Sequence, residues 1–476
     1  MNWFFICKIC VSSLTNHLES SRIFTGSYLF FYTPQNSHYF FFLYGRLKGL
    51  IPLMFLPFKT ALISNLRLII CIFAFVSPNF ENACVAADWP QYLGPNRNAI
   101  YPDKALTKTW PANGPKVIWK KKDIGEGLCG LVISGEKAIL FHEIERRDVI
   151  ECLNTKTGKS IWSNQYITNF TDSFGSGGGP RSTPAIVNNK VYTMGAQGIV
   201  VCTDMTSGKT LWKVDSQKAF SAPNGFFGMA CSPLIEGNAV LLNIGGTNGT
   251  GIIALNKNNG KLIWKTLNDE ASYSSPVMTT LRKERRAVFF TRSGLAIINP
   301  DNGNIDYQYK WRARIHASVN AAAPLAVDNQ IFITSSYNTG ALVIKATGEG
   351  YNKIWSNDTS LSSQYASVMH KDGFLYGTHG RADIPPTPAL RCIELSTGKV
   401  KWSEDEFGDC QMILCGDKLL ALMENGELVL GQINPKGWKE LSRAQVVGSG
   451  ARCQPALADG FLYVRSKNQL ACLEVR

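Results

Sequence analysis

From residue 88 to the end of the chain, short runs of apolar and β-branched residues alternate with polar pairs rich in Asn, Asp and Gly. Val191-Tyr192-Thr193-Met194 and Phe461-Leu462-Tyr463-Val464 are two such runs, and their composition predicts strands. Asn188-Asn189, Gly237-Asn238, Asp328-Asn329, Asp372-Gly373, Gly416-Asp417 and Asp459-Gly460 are the pairs. Two-residue hairpins need positive φ at both turn positions, which these residue types tolerate best. A third run, such as Ile252 to Asn256 or Leu390 to Leu395, leads into a fixed phrase of a small polar residue, Gly, often Lys, two residues and Trp. It ends at Trp162, Trp212, Trp264 and Trp402, and neighbouring copies lie 43 to 52 residues apart. A fixed period of that size means one supersecondary unit laid down repeatedly.

Each unit therefore predicts four antiparallel strands, the fourth carrying the aromatic anchor. That is the blade of a β-propeller, whose radial closure hides the sheet edges. The anchors count as Trp119, Trp162, Trp212, Trp264, Tyr307, Trp355, Trp402 and Leu441, the last with Trp438 nearby. The chain ends after three strands, Gln454 to Val475, and begins with an orphan Trp strand, Lys116 to Lys120. Joining the two completes a blade. The expected fold is an all-β, eight-bladed propeller in which the chain ends share the closing blade; seven blades is the alternative. The Trp residues read as structural docking residues. Gly makes the turn, Lys is solvated, and the indole packs on the next blade while its N–H finds a backbone acceptor.

Residues 1–87 lack this grammar and hold only two acids, Glu19 and Glu81. Met54, Lys59, Arg67, the apolar run Leu68 to Val76 and the small residues Ala83, Ala86 and Ala87 read as a signal peptide, 54–87, cleaved before Asp88. Residues 1–53 then read as a non-native or disordered hydrophobic extension, the alternative being a genuine membrane-associated segment. The apolar run is short for a membrane span, so no stable span is expected in the mature protein. The whole chain carries +13, with 18% charged and 45% hydrophobic residues and no long basic run. A soluble, mildly basic exported protein is expected, periplasmic or extracellular, with no nucleic acid as partner.

The Gly-Lys-x-x-Trp phrase resembles the tryptophan-docking motif of the pyrroloquinoline-quinone (PQQ) dehydrogenases and of PQQ-like repeat proteins. Asp88 to Arg97 (DWPQYLGPNR), Tyr273-Ser274-Ser275-Pro276-Val277 and Leu390 to Leu395 are similar to phrases of exported bacterial PQQ-like propellers. A more distant likeness is to the propeller lipoprotein of the outer-membrane β-barrel assembly machinery. No lipobox precedes Cys84, so lipidation is not expected. The resemblance covers residues 88–476 and implies the fold. For the dehydrogenases it would also imply PQQ with calcium, adjacent stacking cysteines and an aspartate base. No adjacent Cys-Cys occurs in this chain, and no acidic spacing singles out a metal site among Asp172, Asp269, Glu270, Asp383 and Asp409. No nucleophile elbow, zinc-ligand spacing or phosphate loop is present.

Nine of the 13 cysteines fall after residue 88. Cys152, Cys202, Cys392 and Cys472 share a third-strand position and read as small core residues. Cys129, Cys231, Cys410 and Cys453 share a slot before the first strand, filled elsewhere by Ser182, Ser274, Ala322 and Ala366, as crowding near an axis demands. Cys410, Cys453 and Cys129 fall in consecutive blades, which raises an inter-blade disulfide or a thiolate metal site as the sharper reading. Loop candidates for ligand contact are Arg312, Arg314 and His316, then His379 and Arg381 beside Asp383 in an insertion, and Phe226 with Phe227. No catalytic residue is assigned. The expected function is a non-catalytic protein- or ligand-binding scaffold with an envelope or secreted protein partner and room for a small molecule. The alternative is a reduced quinoprotein oxidoreductase holding PQQ in its axial funnel.

Overall fold

The computed structural model describes residues 27–32, 39–44 and 88–476, apart from 103–105, 107–108, 173–174, 176 and 317. The chain forms two compact units, Met1–Ala83 and Cys84–Arg476. In the first, Ser27–Tyr32 and Tyr39–Tyr44 pair as an antiparallel hairpin, Ser27 opposite Tyr44. The remainder of the expected extension 1–53, and the expected signal segment 54–87 with Cys84, lie outside the described residues.

The second unit is a ring of eight antiparallel sheets. Blade 1 comprises Val132–Ser134, Lys137–Ile144, Arg147–Asn154 and Ser160–Ile167, in that order outward from the axis. Blade 8 is built from Ala456–Ala458, Phe461–Arg465 and Gln469–Glu474, closed by Lys116–Lys122 from the other end of the chain. The eight-blade count stands, and seven is excluded. The second and third strands are buried almost throughout, as in Ile252–Asn256, whereas fourth strands such as Leu262–Thr266 expose most of their residues. One helical turn, Ser216–Phe220, decorates the ring, and no helix among the described residues is long and apolar enough to cross a membrane.

Every fourth strand carries a bulge beside its anchor, and the register fixes which residue the anchor is. Trp162 lies opposite Cys152, Trp212 opposite Cys202, Trp402 opposite Cys392 and Trp119 opposite Cys472. The third-strand cysteines are thus the small partners of the indoles. Each indole reaches the next blade. Trp119 Nε1 donates to the Thr155 carbonyl at 2.8 Å, Trp162 to Met205 at 3.0 Å, Trp212 to Lys257 at 2.9 Å and Trp264 to Pro300 at 2.9 Å. Trp355 and Trp402 do the same to Leu395 and Asn434. Tyr307 has no indole to donate; it stacks on Tyr351 of blade 5 at 4.6 Å, beside Asp306 held by Arg282 and Arg286.

Leu441 is not the eighth anchor. In blade 7 Leu430 pairs with Ser442 and Gly431 with Glu440, so Leu441 occupies the bulge and Ser442 the anchor position. Ser442 cannot dock, and Trp110 fills the seam toward blade 8 beside it, its backbone N–H on the Ser442 hydroxyl at 3.3 Å. Trp438 packs on the other side of the sheet, against Gly431 and edge-on to Phe407 at 5.5 Å.

Residues 88–101 run through the middle of the ring rather than around it. Trp89 exchanges backbone hydrogen bonds with Ile133 of blade 1, and the Pro90 carbonyl accepts from Ile186 of blade 2. Arg97 donates to the Ser232 and Pro233 carbonyls of blade 3 at 3.3 and 3.1 Å and to Pro276 of blade 4 at 2.8 Å. Leu93 shares a core cluster with Ala323 at the entry to blade 5, and the Tyr92 hydroxyl meets Ser367 of blade 6. Ile100–Tyr101 adds a parallel strand to Cys410–Cys415 of blade 7, and Tyr101 accepts from Asp459 of blade 8. One short segment therefore touches all eight blades, and it lies toward the face of the first-to-second-strand turns.

Candidate functional site

Antiparallel order decides which loops share a face. The connections between second and third strands, and those between one blade's fourth strand and the next blade's first, emerge together on the face opposite the hairpin turns. The sequence candidates Arg312, Arg314 and His316 are on such an inter-blade loop, and His379 and Arg381 on a second-to-third-strand loop. All five therefore lie on one face, which is the open end of the axis because residues 88–101 cross toward the other.

The two groups of candidates do different things there. His379 Nδ1 accepts from the Ser362 N–H at 3.0 Å, and burial, with Arg391 nearby, pulls its pKa down to about 4. It is a neutral packing residue. Arg381 pairs with Asp383, which also accepts from Gln364 at 3.2 Å, and its guanidinium lies 4.3 Å over Tyr337. This loop is committed to itself. Arg314 is exposed.

Arg312 and His316 join a larger assembly. Glu270 Oε2 receives Arg312 at 3.4 Å and the buried Arg292 at 3.3 Å, and Arg292 also donates to the His316 carbonyl at 2.9 Å. Partial burial opposes the charge on Glu270, but the two guanidiniums prevail and hold its pKa below the usual range. The His316 ring meets Phe226 edge-on at 5.0 Å, and Phe227 meets Tyr273 at 5.5 Å. These loops enclose a cup of about 430 Å³ lined by Phe170, Phe226, Tyr273, His316, Asn224 and Glu270 among others. Sequence reasoning noted Glu270 only as an acid near a loop end and missed Arg292, because their meeting depends on two blades.

The small slot near the axis is occupied as expected. Cys129, Ser182, Cys231, Ser274, Ala322, Ala366, Cys410 and Cys453 are all buried. One residue earlier in the repeat stand Arg181, Tyr273, Tyr365, Asp409 and Arg452 in five of the blades, giving the open end a polar collar. Tyr365 hydrogen-bonds Asp409, Arg452 pairs with Glu424 at 2.6 Å, and burial raises the Asp409 pKa to about 6. All nine described cysteines are free thiols. Cys129 and Cys453 flank the buried Arg465 guanidinium, which donates to the Cys129 and Phe141 carbonyls, and burial pushes the Cys129 pKa up to about 12. The inter-blade disulfide raised for Cys129, Cys410 and Cys453 is not formed.

A second buried polar group escaped the sequence reading. Asp148 is fully buried with the Tyr166 hydroxyl beside it, and Thr193 lies beside Tyr166 in turn. Burial raises its pKa to about 7, opposed by Tyr166 and reinforced by Glu143.

PQQ with calcium does not fit these residues. The middle of the ring is filled by residues 88–101, with the Arg97 cation bonded to strand carbonyls. Among the described residues no group of three His, Cys, Asp or Glu converges as metal ligands, and the sequence has no adjacent cysteine pair.

Known proteins share this architecture. The outer membrane protein assembly factor BamB of Yersinia pestis is 23% identical over 349 residues, covering 68% of this chain and 79% of that protein. BamB of Escherichia coli is 21% identical over 367 residues, covering 64% and 88%. The crystal structure of BamB from Moraxella catarrhalis superposes with a TM-score of 0.54 at 14% identity over 76% of this chain and all of that one. A quinohemoprotein alcohol dehydrogenase from Comamonas testosteroni gives 0.58 at 13% identity, over 82% and 80%. These structural likenesses show the fold. The PQQ-repeat family model described as outer membrane protein assembly factor BamB matches residues 146–404, over half of the chain, and the protein belongs to that family.

Proposed function

We infer that the protein is an exported, non-catalytic scaffold that holds a protein partner of the cell envelope on its loop face. The observation that carries this is the placement of exposed apolar side chains. Ile144, Ile167, Ile315 and Ile384 are 43 to 61% exposed, and all four sit on loops or strand ends of that one face. The other large exposed apolar residues among those described lie on the outer fourth strands. Solvated isoleucines from blades 1, 4 and 6 give that face apolar contacts for a partner broad enough to span it. Relatives named as outer membrane protein assembly factors support the same reading, and the candidates Arg312, Arg314 and His316 lie beside Ile315.

The test compares the wild-type protein with an Ile315→Asp/Ile384→Asp double variant. Each is crosslinked in an envelope fraction and the captured proteins are identified by mass spectrometry. An outer-membrane assembly component captured by the wild type and lost from the double variant supports the scaffold. Dye-linked alcohol or sugar oxidation by the purified protein supplied with PQQ and calcium would sink it.

A further inference from the structure

We propose that the cup formed by the loops after blades 1 to 4 is a binding site for a neutral saccharide. The cup adjoins the isoleucine surface through His316, but its test does not depend on a protein partner. Its volume of about 430 Å³ falls within the roughly 300–1,000 Å³ typical of small-molecule pockets. Its walls mix two kinds of group in alternation.

The first kind is aromatic. Phe170, Phe226, Tyr273 and His316 line the cup, with Phe226 set at 87° to His316 and Phe227 at 69° to Tyr273. Edge-to-face contacts hold these rings in fixed orientations rather than leaving them to collapse into the space. The C–H faces of a pyranose pack on such rings without requiring charge.

The second kind is directional and polar. Glu270 is held through Oε2 by Arg292 and Arg312, which leaves Oε1 to accept from a ligand. A fixed carboxylate accepts from a ligand hydroxyl strongly, because bonds to an ionised acceptor are about twice as strong as neutral ones. Asn224 supplies an amide on the same wall.

Charge selects the ligand class. An anionic ligand would meet the Glu270 carboxylate on the wall, and a cationic one the net positive charge of Arg292 and Arg312 behind it. A polyhydroxylated, uncharged ring meets neither penalty and is the complementary guest.

The experiment is saturation-transfer NMR on the purified protein with maltotriose, cellotriose and triacetylchitotriose, against trigalacturonate and chitosan trimer as charged probes. At least one neutral trisaccharide should show transfer at about 10 mM, the weak-binding regime of roughly −3 kcal/mol. Phe226→Ala should weaken it by about tenfold or more, and Glu270→Gln by about fivefold, with each variant shown by circular dichroism to be folded at the assay temperature. No transfer from any neutral probe, transfer that survives both substitutions, or preferential binding of a charged trimer would each overturn the assignment.

Discussion

Gly158 and Trp119 touch across the seam where the ring closes. A Cβ on Gly158 would stand 2.7 Å from the Trp119 indole, whose Nε1 donates to the Thr155 carbonyl three residues earlier. Gly208 meets Trp162, Gly260 meets Trp212 and Gly303 meets Trp264 in the same way. Glycine is required twice at this position: once for its φ of +68°, and once for the space the indole occupies. The two causes can be separated. Gly135 has φ +55° with nothing within 4 Å of a built Cβ, so Gly135→Ala should cost only the left-handed penalty of about 1–2 kcal/mol. Gly158→Ala should cost about 1–3 kcal/mol more, because the indole must also move. Urea denaturation of the two variants checks the difference, and equal losses would mean the contact contributes nothing.

Arg97 should matter as much as any anchor. It is buried, bonded to three backbone carbonyls at the entries to two blades and to Gln91 at 3.2 Å, with no carboxylate partner among the described residues. Its own φ is +51°, and Leu93 and Ala99 are also left-handed, a strained run that persists only because the surroundings fix it. Arg97→Met strips the donor from three buried acceptors and should cost about 3 kcal/mol or more. Arg97→Lys should rescue little, since one ammonium cannot span carbonyls that the planar fork reaches together. Thermal unfolding measures both, and limited proteolysis should find residues 88–101 cleaved in the variants first.

The repeat was legible because its signals are local. A turn pair, an apolar run and a Gly-x-x-x-Trp phrase each declare themselves within a few residues, and the orphan strand at Trp119 announced the closure. The one misplaced anchor, Leu441 for Ser442, has a physical cause: where the docking residue is small, Trp110 fills its seat from outside the pattern. The path of residues 88–101 left no periodic trace, because Arg97 is held by backbone carbonyls, which every sequence has. Glu270 and Asp148 were unreadable for a related reason. Their neighbours, Arg292 and Arg312 for one and Tyr166 for the other, come from other strands or other blades.

The cysteines should be chemically silent. Thiolate is the reactive form, and burial raises the pKa of Cys152, Cys202, Cys231 and Cys392 to about 11 and of Cys129 and Cys472 to about 12. Iodoacetamide at pH 8 should leave all nine thiols of the propeller unmodified in the native protein and alkylate all nine in guanidinium. Peptide mapping reads each site separately. A Cys129–Cys453 disulfide recovered from exported protein would contradict the free-thiol state.

Stability should respond to pH through two buried groups that pull in opposite directions. Asp148 has its pKa raised from 3.8 to about 7, so the folded state binds its proton more tightly than the unfolded chain does. Its contribution is greatest below pH 4 and is lost as the pH rises to 7. His142 has its pKa lowered from 6.5 to about 3, chiefly by burial and then by Arg465 and Lys121. Its Nδ1 accepts from the Gly125 N–H at 3.0 Å, so the ring is neutral and Glu151, 3.6 Å from Nε2, forms no ion pair with it. That contribution is present above pH 6.5 and is lost as the pH falls toward 3. Each acts with a slope of at most about 1.4 kcal/mol per pH unit. Between pH 4 and 6.5 they largely cancel, which predicts a flat profile for the wild type across that range. Asp148→Asn should gain on the wild type steadily from pH 4 to 7, and His142→Gln should gain on it as the pH falls below 6.5. Urea midpoints at pH 4.5, 6 and 8 for the three proteins distinguish the slopes. Parallel profiles for wild type and Asp148→Asn would mean that the carboxyl is ionised in the folded state and that Tyr166 stabilises it as the anion.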